Sequence, residues 1–253
     1  MDTLPHAPLA QAQNVARIAR AHCPGLLAAY LHGSICLGGY VPGRSDLDLL
    51  LVSEGSMTRA ERTVFADALL PLHGAPCPVE LSVVTRAGLL RPQPVCCFHF
   101  SQMWAGRYAA HDADNPLLAG DFPDGDIPAY YGVARQSGVT LLGPKPAELL
   151  PEVGDEVFWR SITDGIEDCS FEDYGLFASN ILTLPRILSF AHLRRVLTKA
   201  QGGRWGMDAF PEYADLLRRA LAEYEGGQAQ TFPLEELSAF RAKMLEEIAK
   251  GLR

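Results

Sequence analysis

The order of apolar and polar positions divides the chain into a first part of short apolar runs among helical stretches and a second part that is helical throughout. Residues 8–22 (PLAQAQNVARIARAH) place Leu9, Val15, Ile18 and Ala19 at helical spacing and stop at Cys23-Pro24-Gly25. The run from Leu26 to Leu31 predicts a strand that ends abruptly at Gly33-Ser34. A loop with three glycines and Pro42 follows, and Asp46 to Val52 (DLDLLLV) predicts a second strand. Thr58 to Leu72 predicts a helix: Thr58 and Glu61 fit a capping box, with Val64, Phe65, Ala68 and Leu69 as its apolar face. After the turn His73-Gly74-Ala75-Pro76, residues Pro78 to Val84 predict a third strand. Helix, strand, strand, helix, strand fits a small mixed sheet with helices packed on one face.

Residues 86–126 carry a weaker pattern. Phe98, Phe100 and Trp104 form an aromatic cluster, on a strand or a short helix, that reads as core. The segment from His111 to Asp126, rich in Asp, Gly and Pro, reads as a loop whose five aspartates are solvated. A helix over 127–138 and the segment Val139 to Pro144 complete the first domain, and the two prolines of 145–154 mark a linker. Beyond Asp155 the periodicity predicts helices near 155–169, 173–201, 209–225 and 233–251, with Pro185 kinking or breaking the second. In the last, Leu237, Phe240, Met244 and Ile248 share a face, with Glu246, Glu247 and Lys250 outside it. The expected fold class is α+β: a mixed-sheet domain over 1–148, then an all-α bundle over 149–253.

Composition narrows the partners. A chain of 253 residues with 48% hydrophobic content has enough apolar surface for one large or two ordinary cores. A net charge of −8 argues against nucleic acid, which calls for a basic face, and permits a cationic small molecule. The six cysteines show no C-x-x-C spacing and read as free thiols in a reducing compartment. The N-terminal residues lack the pattern of a signal peptide, and no apolar run approaches the length of a membrane span. The expectation is a soluble, cytoplasmic protein, monomer or homodimer.

The candidate chemistry lies where the first two strands meet. On a strand Asp46 and Asp48 point to one side, with Leu47 and Leu49 on the other. Two adjacent carboxylates repel unless a cation sits between them, and a divalent ion with oxygen ligands, most simply Mg2+ arriving with a nucleoside triphosphate, suits them. Gly33 permits close backbone approach, and Ser34 offers a hydroxyl and an N–H for a phosphate oxygen. Glu80, on the third strand with Val79 and Leu81 facing away from it, is placed to complete a triad. His99 and His111 have no metal-like spacing with other ligands and read as non-catalytic.

Gly33-Ser34, a loop, then Asp46-x-Asp48 resembles the signature of the polymerase-β-like nucleotidyltransferase superfamily. More narrowly, LHGSICLGGYVPGRSDLDLLLV resembles the aminoglycoside adenylyltransferases that modify streptomycin and spectinomycin. The resemblance extends to Gly143-Pro144 and to the stretch from Leu182 to Met207. It implies Mg2+-dependent transfer of AMP from ATP to a hydroxyl of a small, cationic acceptor. Asp46 and Asp48 are then metal ligands and Glu80 the base that deprotonates the acceptor. Gly33, Ser34, Arg186 and Lys199 hold the nucleotide, which agrees with the need of a triphosphate for cations. In the resembling enzymes a tryptophan and acidic residues just before the nucleotide-binding helix contact the aminoglycoside. Here Glu167, Asp168, Glu172 and Asp173 keep the acidity, Glu172 and Asp173 being the acceptor-binding candidates, and the tryptophan has no clear counterpart. Two alternatives keep the fold: a nucleotidyltransferase that adenylylates a protein or another small molecule, and a non-catalytic nucleotide sensor.

Overall fold

Two strands that are apolar on both sides require cover on both faces of the sheet they form, and this decides the architecture of the first part of the chain. The structure, a computed structural model, describes residues 4–91, 94–166 and 177–252. It divides into two compact units, Met1–Val153 and Gly154–Arg253. The first unit runs α1 (His6–His22), β1 (Leu26–Leu31), α2 (Gly33–Cys36), β2 (Leu47–Ser53), α3 (Arg59–Leu69), β3 (Val79–Thr85), β4 (Val95–Cys96), β5 (Phe98–Phe100), α4 (Gln102–Ala109), β6 (Phe122–Pro123), α5 (Ile127–Ser137), β7 (Val139–Leu142) and α6 (Pro146–Leu149). Its main sheet has the order β5-β3-β2-β1-β7, while β4 and β6 pair separately.

Among the described strands only β2 and β3 pair in parallel; β1 runs antiparallel to β2 and β7, and β5 antiparallel to β3. A parallel pair needs a long crossover, which α3 supplies between β2 and β3. Leu47, Leu49, Leu51, Val79, Leu81 and Val83 enter one core with α1, α3 and α4. The alternate residues Leu50, Val52 and Val84, with Ala28 and Tyr30 of β1, enter a second core closed by Ile127, Tyr131 and Ala134 of α5. The mixed sheet is therefore as expected, but helices lie on both faces rather than one. The continuous LLLV of β2 is the reason: residues behind Asp48 are apolar on either side and both sets need cover.

The capping box of α3 forms as the sequence suggests, with the Thr58 side chain accepting from the Glu61 N–H. Its inward face differs. Arg62, Phe65, Ala66 and Leu69 are buried, whereas Val64 is exposed. Arg62 occupies a core position because Asp121 meets it: Nη2 donates to Asp121 Oδ1 at 2.6 Å and to Ser56 Oγ at 3.2 Å. The aspartate-rich segment 111–126 is thus not uniformly solvated; Asp112 also pairs with Arg107, at 2.6 Å. Phe98 and Phe100 are core residues on β5, with Phe98 4.9 Å from Phe65 and Phe100 stacked on Tyr108 at 5.6 Å between ring centroids. The five cysteines among the described residues are free thiols.

The second unit comprises α7 (Asp155–Thr163), α8 (Phe177–Leu193), α9 (Lys199–Ala209), α10 (Ala214–Tyr224) and α11 (Leu234–Ala249). The helix expected over 173–201 ends at Leu193, and Arg194 takes a φ of 54°. Thr198 and Gln201 then form a capping box that begins α9 as a separate helix. Pro185 lies within α8, which continues past it. The glycines of α9 allow a close crossing: a Cβ on Gly202 would stand 2.5 Å from Arg186 Cα, and one on Gly206 2.7 Å from Pro185 Cβ. On α11, Leu237, Phe240, Met244 and Ile248 are buried as expected. Glu247 is also buried, held by Lys243 Nζ at 2.8 Å and Lys250 Nζ at 2.6 Å, instead of facing outward. Among the described residues, no helix is long and apolar enough to cross a membrane.

Asp121→Ala leaves the Arg62 guanidinium buried without its carboxylate, and Nε already lacks a partner. Because Asp121 is itself 35% exposed, its loss costs less than that of a fully buried pair, about 1–3 kcal/mol. Chemical denaturation of Asp121→Ala is expected to show a destabilisation of that order, against under ~1 kcal/mol for an exposed pair such as Arg86–Glu54 removed by Glu54→Ala.

Candidate active site

At the end of β1 the chain turns through His32 into Gly33, whose φ of +69° an L side chain rarely adopts. The steric reason for glycine is explicit, because a Cβ there would stand 1.8 Å from Asp48 Oδ2 and 2.5 Å from Asp48 Cγ. The Asp48 carboxylate therefore rests on the Gly33 backbone. The turn is also held by a ladder bond in which His32 N–H donates to Asp48 O at 3.0 Å. Gly33 to Cys36 form the short α2, a helical turn in place of the simple loop that the sequence suggests after Gly33-Ser34. The Ser34 hydroxyl has no hydrogen-bond partner among the described residues and is half-buried.

Parallel pairing of β2 and β3 sets Asp48 opposite Glu80 in Cα register. Alternation puts both on the face of Leu50, Val52 and Val84, the side covered by α5. Asp46 stands two residues before Asp48, just ahead of β2. Burial pushes the Glu80 carboxyl above its ordinary value, and the charges of Asp46, Asp126 and Asp124 push it further. One interaction opposes them: Tyr130 of α5 donates its hydroxyl to Glu80 Oε1 at 3.1 Å. The Tyr130 ring lies 5.3 Å from the imidazole of His32, which burial holds neutral with a pKa lowered to about 4.

The structure thus gathers Gly33, Asp48 and Glu80 through backbone register, with Asp46 near enough to raise the Glu80 pKa. Asp124, Asp126, Tyr130 and His32 join them without having been singled out in the sequence. Asp124 and Asp126 sit in a segment that reads as a solvated turn, and Tyr130 occupies an ordinary helical position. His32 adjoins the Gly-Ser pair, the one local signal available. His99, on β5, accepts or donates at Nδ1 to Ser82 Oγ at 3.0 Å, one residue pair along the same face.

Among the described residues, no three His, Cys, Asp or Glu side chains form a complete metal cage. Mg2+ commonly takes one or two carboxylates and fills its octahedron with water and substrate phosphates, so a carboxylate pair is the donor set such an ion needs. Asp48, fixed by Gly33, and Asp46 have the hard oxygen donors for it. The fit rests on that chemistry and on the cradle that excludes a Cβ at position 33.

In the second unit the two candidate cations come to the α8–α9 contact. Arg186 packs its backbone against Gly202, and Lys199 begins α9 with its Nζ donating to Ser179 Oγ of α8. Arg186 and Lys199 therefore lie on neighbouring elements although Arg194 and the capped turn separate them in sequence. Glu172 and Asp173, with Glu167 and Asp168, fall outside the described residues.

Residues 148–247 match the family model described as "Aminoglycoside adenylyltransferase, C-terminal domain". The chain is also similar to the spectinomycin adenyltransferase AAD(9) from Enterococcus faecialis, in a crystal structure with ATP and spectinomycin. That likeness has a TM-score of 0.82 at 19% identity and covers 95% of this chain and 99% of the other. At this identity the likeness carries the fold, and it agrees with the α+β class and the helical second part read from the sequence. The family model agrees, over residues 148–247, with the resemblance to aminoglycoside adenylyltransferases.

Gly33→Ala is expected to cost more than the ~1–2 kcal/mol of a left-handed alanine, because the methyl also displaces the Asp48 carboxylate. In an Asp48→Ala background the same change should cost less, since Cγ and Oδ2 are gone. Denaturation curves of the four proteins in the cycle measure this, and equal costs in both backgrounds would count against the contact.

Proposed function

We infer that this chain, aminoglycoside adenylyltransferase-like in its fold and over residues 148–247, is a nucleotidyltransferase that moves AMP from ATP to a hydroxyl of an aminoglycoside such as streptomycin or spectinomycin. The observation that carries the reading is the Asp48 carboxylate seated on Gly33 directly across the parallel ladder from Glu80. A strand pair has no folding reason to set two carboxylates opposite each other, since like charges in register destabilise it. A pair of this kind, in which one carboxyl is raised above its ordinary value, is what metal-assisted proton transfer calls for.

The acceptor oxygen attacks the α-phosphorus, a new P–O bond forms, and the α–β bond breaks to release pyrophosphate. Glu80 takes the hydroxyl proton, and its raised affinity for protons makes it a stronger base than an ordinary glutamate. Ser34 offers its open hydroxyl to a phosphate oxygen. Arg186 and Lys199 meet the charge that remains on the triphosphate, Arg with a planar fork and Lys as a point charge. Asp46 and Asp48 hold Mg2+, whose contribution when bound is to neutralise the triphosphate and the leaving pyrophosphate. Positioning and charge stabilisation then carry most of the rate.

A cationic acceptor suits the electrostatics of this face. Asp124 and Asp126 both act on Glu80, and the whole chain carries a net charge of −8. Glu172 and Asp173 add acidic residues to the sequence just before α8. A resistance role in the cytoplasm follows from this acceptor class and completes the proposal.

Incubation with ATP, Mg2+ and either streptomycin or spectinomycin is expected to release pyrophosphate and yield an acceptor heavier by one AMP, detected by mass spectrometry. Asp48→Asn should lower turnover by roughly 1,000-fold or more with the melting temperature preserved. Near-normal turnover in that variant would remove the metal assignment. Label transferred to a protein band, with no small-molecule product, would move the acceptor to a protein.

A further inference from the structure

Glu80 receives one hydrogen bond among the described residues, from the Tyr130 hydroxyl to Oε1 at 3.1 Å. The terminal torsion of a glutamate is broad, so without a donor its two oxygens would share the space beside Asp48 in many orientations. Tyr130 is itself held. Its ring packs at 5.3 Å and 43° against His32, the buried residue between β1 and Gly33. Ile127, Tyr131 and Ala134 anchor the rest of α5 in the core beneath the sheet. Burial and the charges of Glu80, Asp126 and Asp124 keep the phenol protonated well above its ordinary range, so it remains a donor. The contact therefore links the Gly-Ser turn, α5 and β3 at one carboxylate.

We propose that Tyr130 is the positioning residue of the base: it fixes Glu80 Oε1 and leaves Oε2 as the oxygen that receives the acceptor's proton. The inference rests on the reading of Glu80 as that base. Tyr130 touches neither reacting atom and acts through Glu80 alone. Its hydroxyl is part of the site although nothing in the motif around Gly33 and Asp48 indicates it.

Tyr130→Phe keeps the ring against His32 and removes only the hydroxyl. Turnover is measured with ATP, Mg2+ and whichever of streptomycin and spectinomycin the wild-type chain adenylylates. The kcat is expected to fall about 10- to 100-fold, as loss of alignment does, with KM for ATP and for the acceptor within twofold and the melting temperature unchanged. Tyr131→Phe, one position along α5 and facing the core, should retain wild-type kcat. In a Glu80→Gln background the same Tyr130→Phe change should add no further loss, which a merely structural role would not produce. Wild-type kcat in Tyr130→Phe, with Glu80→Gln inactive, overturns this inference and leaves the base assignment standing. Undiminished turnover in Glu80→Gln, or a wild-type chain inert toward both acceptors, overturns the base assignment and the inference together. An added loss from Tyr130→Phe in the Glu80→Gln background overturns the positioning role.

Discussion

The carboxylate of Asp48 lying on the backbone of Gly33 is the constraint from which the rest of the first unit follows. The contact requires an L-disfavoured φ and a missing Cβ at the end of β1, and it requires β2 to pair with β1 in one register. A slip by one residue would turn Asp48 into the core of α1 and α3 and put Leu49 in its place beside Gly33. That slip is opposed at the site end of β2, where it would bury the Asp48 carboxylate among the apolar neighbours of Leu47 and Leu49. The local cost of a left-handed backbone and of opposed carboxylates is thus offset by cores on both sides of the same strand. Functional positions commonly break a local rule in this manner.

Electrostatics at Glu80 depend on the same placement. Burial against α5 supplies the largest push on its carboxyl, and the neighbouring aspartates add theirs. The Tyr130 hydroxyl pulls the other way, favouring the ionised form while restricting its orientation. Buried, crowded carboxylates and one well-placed donor give a group that holds a proton tightly yet has a defined direction. That combination suits proton transfer better than either an exposed glutamate or a fully paired one.

The second unit uses a different device for its candidate residues. Gly202, Gly203 and Gly206 would each clash with α8 if they carried a Cβ, so their absence of side chains sets the distance at which the two helices cross. Glycine lowers helix propensity, and the Thr198–Gln201 capping box compensates at the helix start. The result is a tight contact in which Arg186 and Lys199 lie on adjacent helices, with Lys199 bound to Ser179.

Much of this was written locally in the chain. The α1 periodicity, the strands around Leu26–Leu31 and the DLDLLLV run, the Thr58 cap and the buried stripe of α11 each depend on neighbours in sequence, and each is found as read. The pairing of Gly33-Ser34 with Asp46-x-Asp48 was legible because strand alternation and glycine's freedom are local facts. What eluded the sequence depends on contacts between distant segments. Arg62 reads as a surface charge until Asp121 is brought to it, and Val64 reads as core until the rotation of α3 is known. Glu247 likewise needs Lys243 and Lys250 turned over it before it can be buried. The residues around Glu80 follow the same rule: Asp124, Asp126 and Tyr130 carry no motif, and only the packing of α5 on the second sheet face delivers them. Local sequence determines which backbone each segment prefers and which residues are chemically able to act. Tertiary structure alone decides which charges are desolvated together, because burial and proximity are properties of the folded chain and of no segment within it.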